Sequence, residues 1–87
     1  MKLYGKLIKD TRIIKETFAE RNDESVSFRD QLEQCLIQVC KDLDIQVPLW
    51  LKKNTKDFVN HHRTFFTSEH FVEKISFDKF EIRIEQI

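Results

Sequence analysis

Phe28, Leu32, Cys35, Leu36, Val39 and Leu43 recur at spacings of three and four. At 3.6 residues per turn these positions fall on one stripe, so residues 28–43 are predicted to form one amphipathic helix. Ile37 and Cys40 widen the stripe, Ser27 stands in place as its N-cap, and Asp30 puts a negative charge in the first turn, where the helix dipole favours it. A helix patterned this way has to lay its apolar side on a second layer.

The two ends of the chain supply that layer as strands. Residues 2–9 and 12–20 alternate imperfectly between apolar and polar, with Asp10-Thr11 between them as a two-residue hairpin turn. Pairing across that turn sets Leu7 opposite Ile14, Gly5 opposite Glu16 and Leu3 opposite Phe18. This puts Leu3, Gly5, Leu7, Ile14, Glu16 and Phe18 on the core face. Tyr4, Lys6, Ile8, Ile13, Lys15 and Thr17 are then left on a wetter face. Phe80, Ile82 and Ile84 alternate with Glu81, Arg83 and Glu85, which predicts a C-terminal strand with the first three inward. Phe77 has the wrong parity for that face, so a bulge or bend is expected at Asp78-Lys79.

Between helix and last strand the signals are shorter. Val47-Pro48 ends the helical region. Leu49-Trp50-Leu51 reads as an apolar anchor for one end of the core. Residues 52–62 read as a second, shorter helix with Phe58 and Val59 inward, and Thr67 or Ser68 would cap a further turn carrying Phe71, Val72 and Ile75. The sum is an α+β fold: an N-terminal β-hairpin, a long amphipathic helix, one or two short helices and a C-terminal strand. The simplest packing is a three-stranded antiparallel sheet with helices on one face, in which the last strand pairs with either hairpin strand. With 87 residues the chain makes a single domain, 1–87.

Composition limits the function classes. Fifteen basic and fifteen acidic side chains give no net charge, whereas a dedicated DNA-binding domain carries a positive excess. The only glycine, Gly5, leaves no phosphate-cradling loop, and no Gly-x-Ser-x-Gly elbow is present. No enzymatic activity and no cofactor are therefore expected. The opening Met1-Lys2-Leu3-Tyr4-Gly5-Lys6 interrupts any apolar run, and no stretch reaches the roughly 20 apolar residues of a membrane span. A cytoplasmic protein with reduced thiols and no membrane partner is expected. Cys35 and Cys40 lie five residues apart and diverge on a helix; Cys35 falls on the core face and reads as a small hydrophobe.

Three groups of residues offer chemistry. Tyr4, Ile8 and Ile13 form an apolar patch on the outer face of the hairpin, beside an open sheet edge; such a surface suits a homodimer or a protein partner. Lys52, Lys53, Lys56 and Arg63, with His61 and His62 and followed by Phe65 and Phe66, pair cations with aromatic rings, as in surfaces that take single-stranded nucleic acid. The plainer account is a solvated helix face next to two core phenylalanines. Asp57, His61, His70 and Glu73 are metal-ligand types gathered in a short segment, without the spacing of a known metal motif; exposed histidines near a helix end explain them equally well. Of these the interaction surface leads, with nucleic acid and metal as alternatives.

The segments Pro48-Leu49-Trp50-Leu51, Lys56-Asp57-Phe58 and Phe71-Val72-Glu73-Lys74-Ile75-Ser76-Phe77-Asp78-Lys79-Phe80-Glu81-Ile82, after the Lys-Leu-Tyr-Gly-Lys-Leu-Ile-Lys start, resemble a group of short uncharacterised bacterial proteins. The resemblance spans most of the chain and rests on apolar, structural positions. It implies a bacterial cytoplasmic protein and brings no activity, ligand or catalytic residue with it.

Overall fold

The computed structural model describes residues 1–85. Its elements are β1 (Lys2–Lys9), β2 (Arg12–Glu20), α1 (Phe28–Leu43), α2 (Lys52–His61), β3 (Arg63–Phe66), a 3-10 turn (Ser68–His70) and β4 (Lys79–Glu85). The sheet has four strands in the order β2-β1-β4-β3, all antiparallel, so the fold is α+β with two helices. The expected three strands become four because Arg63–Phe66, which follows the predicted helix and belongs to no predicted element, pairs with β4. His62 makes this possible. It ends α2 in the left-handed region (φ 57°) and turns the chain straight into β3. The C-terminal strand pairs with β1, which places it in the centre of the sheet.

The hairpin turns at Asp10-Thr11 as predicted, with both residues at positive φ (52° and 64°), the sense that matches strand twist. Asp78 holds the turn from outside: its carboxylate accepts the Asp10 N–H at 2.8 Å, and its own N–H donates to the Ile8 carbonyl at 2.9 Å. This is the bend expected at Asp78-Lys79, and it leaves Phe77 buried against Phe71 (centroids 5.6 Å apart).

The hairpin register differs from the expected one. Ile8 pairs with Ile13, but Leu7 pairs with Lys15, leaving Ile14 as the extra residue of a bulge. From there every partner is displaced by one, so Leu3 lies opposite Ala19 and Tyr4 opposite Phe18. A one-residue slip moves a strand's side chains to the other face. Phe18 and Glu16 therefore lie outward, and Ala19 and Thr17 come inward. Packing explains the choice. A methyl at Gly5 would overlap Val39 of α1, so the helix lies very close to β1. Small Ala19 (5% exposed) fits beneath it where a phenylalanine would not.

Helix α1 begins where predicted, with the Ser27 hydroxyl accepting the Asp30 N–H at 3.2 Å, and ends on Asp44 at φ 57°. Cys35, Leu36, Val39, Cys40 and Leu43 are buried. Phe28 and Ile37 are about half exposed (49% and 48%), so the predicted stripe is narrower and starts later. Both helices cover the same side of the sheet. Val39 meets β1 at Gly5, and Asn54 of α2 bonds Thr64 of β3, which shares the Ile82 row with Gly5. Phe58 is buried, but Val59 is 73% exposed, since successive helical residues point about 100° apart and only one meets the core. Of the Leu49-Trp50-Leu51 anchor only Trp50 packs, against Phe58 at 5.3 Å and Phe66 at 5.7 Å; both leucines are exposed. The helical turn expected at 67–75 shrinks to Ser68–His70, with Phe71 buried and Val72 outside. Phe80, Ile82 and Ile84 are buried as predicted. Among the described residues no helix is long and apolar enough to cross a membrane.

Candidate interaction face

Since α1 and α2 share one side, the other side of the sheet carries no helix. The pairing arranges its outward side chains in rows that run across the strands. Glu20, Lys2 and Glu85 form the first row, from β2 to β4. Phe18, Tyr4, Arg83 and Arg63 form the second. Glu16, Lys6, Glu81 and Phe65 form the third, and Ile13, Ile8 and Lys79 the fourth. Two acid–base–acid rows thus enclose one that begins with two aromatic rings and ends with two arginines.

Short contacts hold the rows together. The Tyr4 and Phe18 rings lie 6.0 Å apart. The Lys2 ammonium stands over both, 5.1 Å and 4.3 Å from their centroids, and the Arg83 guanidinium lies 4.6 Å from the Tyr4 ring. The Tyr4 phenol oxygen first, then the charges of Glu20 and Glu85, hold Lys2 above its ordinary pKa. The Tyr4 hydroxyl donates to Glu85 at 3.0 Å, Lys6 pairs with Glu81 at 3.1 Å, and the Lys79 ammonium lies 4.9 Å from the Phe65 ring. Glu81 is buried, so its charge is spent on Lys6. Arg63 and Arg83, by contrast, stand directly opposite each other, and among the described residues neither has a carboxylate within 4.0 Å. Like charges in that position repel.

A trough of about 480 Å³ crosses this face, lined by Tyr4, Gly5, Lys6, Glu16, Thr17, Phe18, Glu81 and Arg83. Tyr4, Ile8 and Ile13, the predicted interaction residues, all lie on the open side; Ile13 is 53% exposed, and the other two are half-buried. The bulge adds Phe18, 50% exposed, and β3 adds Phe65. Neither was legible in advance. Phe18 needed the extra residue at Ile14, and Phe65 needed the strand at 63–66.

The other two groups are not gathered. Lys52, Lys53 and Lys56 are exposed on α2, which lies on the covered side, whereas Arg63 lies in the open-side row. Phe66 is closed inside the core at 0% exposure and Phe65 is half-buried beneath Lys79 on the open side, so the three lysines of this group do not share a surface with its two rings.

Asp57, His61, His70 and Glu73 do not converge either. No three His, Cys, Asp or Glu side chains among the described residues stand together as a metal site. The Asp57 carboxylate accepts from Thr64 at 2.9 Å, and His61 and Glu73 are exposed. His70 is buried with its Nδ1 accepting the Thr67 N–H at 3.0 Å. That bond puts the ring proton on Nε2, which is buried without a polar partner, beside an edge-on contact with Phe66. The 3-10 turn directs this histidine inward, and its sequence neighbours gave no sign of it.

Burial raises both thiols, pushing Cys40 up to about 12, so neither is a thiolate near neutral pH. No protein-family model matches the chain, and no curated protein or solved structure is similar to it.

Proposed function

We propose that this chain is a non-enzymatic interaction domain whose working surface is the open face of its sheet. The observation that carries the reading is the placement of Tyr4, Ile8, Ile13, Phe18 and Phe65 on the one side that both helices leave bare. Apolar side chains gathered on an exposed face mark binding surfaces. The charged rows around them supply the polar rim that such surfaces carry.

The reading is tested with paired variants. Phe18→Glu and Ile13→Lys change the open face, and Ile37→Lys and Val59→Lys change exposed apolar residues on the helices. Each tagged variant is compared with wild type for association by sedimentation velocity, alone and in extract of the source cells. Loss confined to the first pair supports the reading. Equal loss in both pairs, or loss only in the second, contradicts it.

A further inference from the structure

We infer that the partner of the open face is a second copy of this chain, docked sheet to sheet about a two-fold axis parallel to the strands. The inference rests on the open face being the binding surface, and it deepens that reading by naming the occupant.

Such an axis keeps each residue's height along the strands and exchanges the strand order, so β1 of one copy faces β4 of the other and β2 faces β3. The rows then meet themselves reversed. In the first row Lys2 faces Glu85 of the second copy, and in the third the Lys6–Glu81 pairs of the two copies meet head to tail. In the second row Arg83 faces the other copy's Tyr4, and Arg63 faces its Phe18. In these three rows every cation thereby meets an acid or an aromatic face, and both contacts are attractive; in the fourth row Lys79 faces the other copy's Ile8. Arg63 benefits most. It stands opposite Arg83 in its own chain, and in the pair it sits over Phe18 between Glu16 and Glu20 of the second copy. The like-charge contact between the arginines is unfavourable in a lone chain and becomes an asset when that acidic strand covers it.

The size of the face sets the strength. Three strands of about seven residues and one of four (β3) cover about 400 Å² per copy in projection at ordinary sheet spacings. The pair buries about 800 Å² in projection, below the roughly 1,200 Å² of a stable interface and in the range of weak, transient contacts. A weak, reversible dimer that dissociates on dilution is expected.

Light scattering after gel filtration, from about 1 µM to about 1 mM, reads the mass. Wild type is expected to rise from 10.6 kDa to twice that value across the range. Two charge variants follow, Lys2→Glu with Lys6→Glu, and Glu81→Lys with Glu85→Lys. Each alone sets like charges against like and is expected to stay monomeric, whereas an equimolar mixture restores the dimer. Circular dichroism checks that both fold. Should either fail, Arg63→Glu replaces them: exposed and with no ion-pair partner among the described residues, Arg63 can be changed with folding expected to stay intact, and the change is expected to weaken the dimer at least tenfold.

A wild type that stays at 10.6 kDa to the highest concentration overturns the inference. So does a mixture no heavier than its components, or an Arg63→Glu protein that dimerises like wild type. If the chain is monomeric while Phe18→Glu still abolishes association in extract, the face binds a different protein. Only the second-copy inference then fails.

Discussion

Gly5 lies directly beneath Val39: a methyl on Gly5 would overlap Val39 Cγ1 and stand 3.0 Å from Phe80 Cε1. This contact fixes how closely α1 approaches the sheet, and thereby the residues β2 can turn inward. Gly5→Ala is expected to destabilise the fold by about 1–3 kcal/mol through overpacking. Shortening the helix side with Val39→Ala should recover part of that loss. Urea unfolding of the single and double variants measures it, and additive losses would show that the two residues do not share the contact.

Thr11 occupies the left-handed region at φ 64°, where a β-branched residue is strained. Thr11→Gly should raise stability by about 0.5–1 kcal/mol, the relief of strain outweighing the added freedom of the unfolded chain. A rise in melting temperature checks it. A fall would mean that the Thr11 hydroxyl, which donates to the Asp10 carbonyl at 2.6 Å, matters more than the backbone strain.

Asn54, fully buried, joins α2 to β3. Its side-chain NH₂ donates to Thr64 Oγ1 at 2.8 Å and to the Phe65 carbonyl at 3.1 Å, and its oxygen accepts the Leu51 N–H at 2.8 Å. Asn54→Ala leaves several buried groups unpaired and should cost about 2–3 kcal/mol, more than Thr64→Val at about 1 kcal/mol. A double-mutant cycle by denaturant unfolding should show strong coupling. Independent losses would contradict the network.

Burial pushes the Cys40 thiol up from its ordinary 9.0 to about 12. The unfolded chain therefore releases this proton at lower pH than the folded one. The stability tied to the neutral thiol is complete below about pH 9 and is lost as pH rises toward 12. Cys40→Ala should flatten that part of the stability–pH curve. At neutral pH neither thiol should react with a disulfide reagent until denaturant is added; rapid labelling of the native protein would contradict the burial of Cys35 and Cys40.

The parts of the fold written as periodicity were legible: the helix at 28–43, the turn at Asp10-Thr11, and the inward set Phe80, Ile82 and Ile84. What escaped depends on contacts distant in sequence. The bulge at Ile14 follows from how close α1 comes at Gly5. Strand β3 exists because β4 offers it an edge, and its four residues carry too short a pattern to announce themselves. The open face was half legible. Tyr4, Ile8 and Ile13 follow from parity alone, whereas Phe18 and Phe65 had to wait for the bulge and the fourth strand.

The central claim, that the open face is the working surface, is tested most directly by placing a photo-reactive phenylalanine at position 18 and irradiating living cells. A control carries the same group at Ile37, equally exposed on α1. The expected result is a discrete cross-linked species from position 18, at the mass of two chains, with none from position 37. No cross-link at position 18, or the same products from both positions, would contradict it.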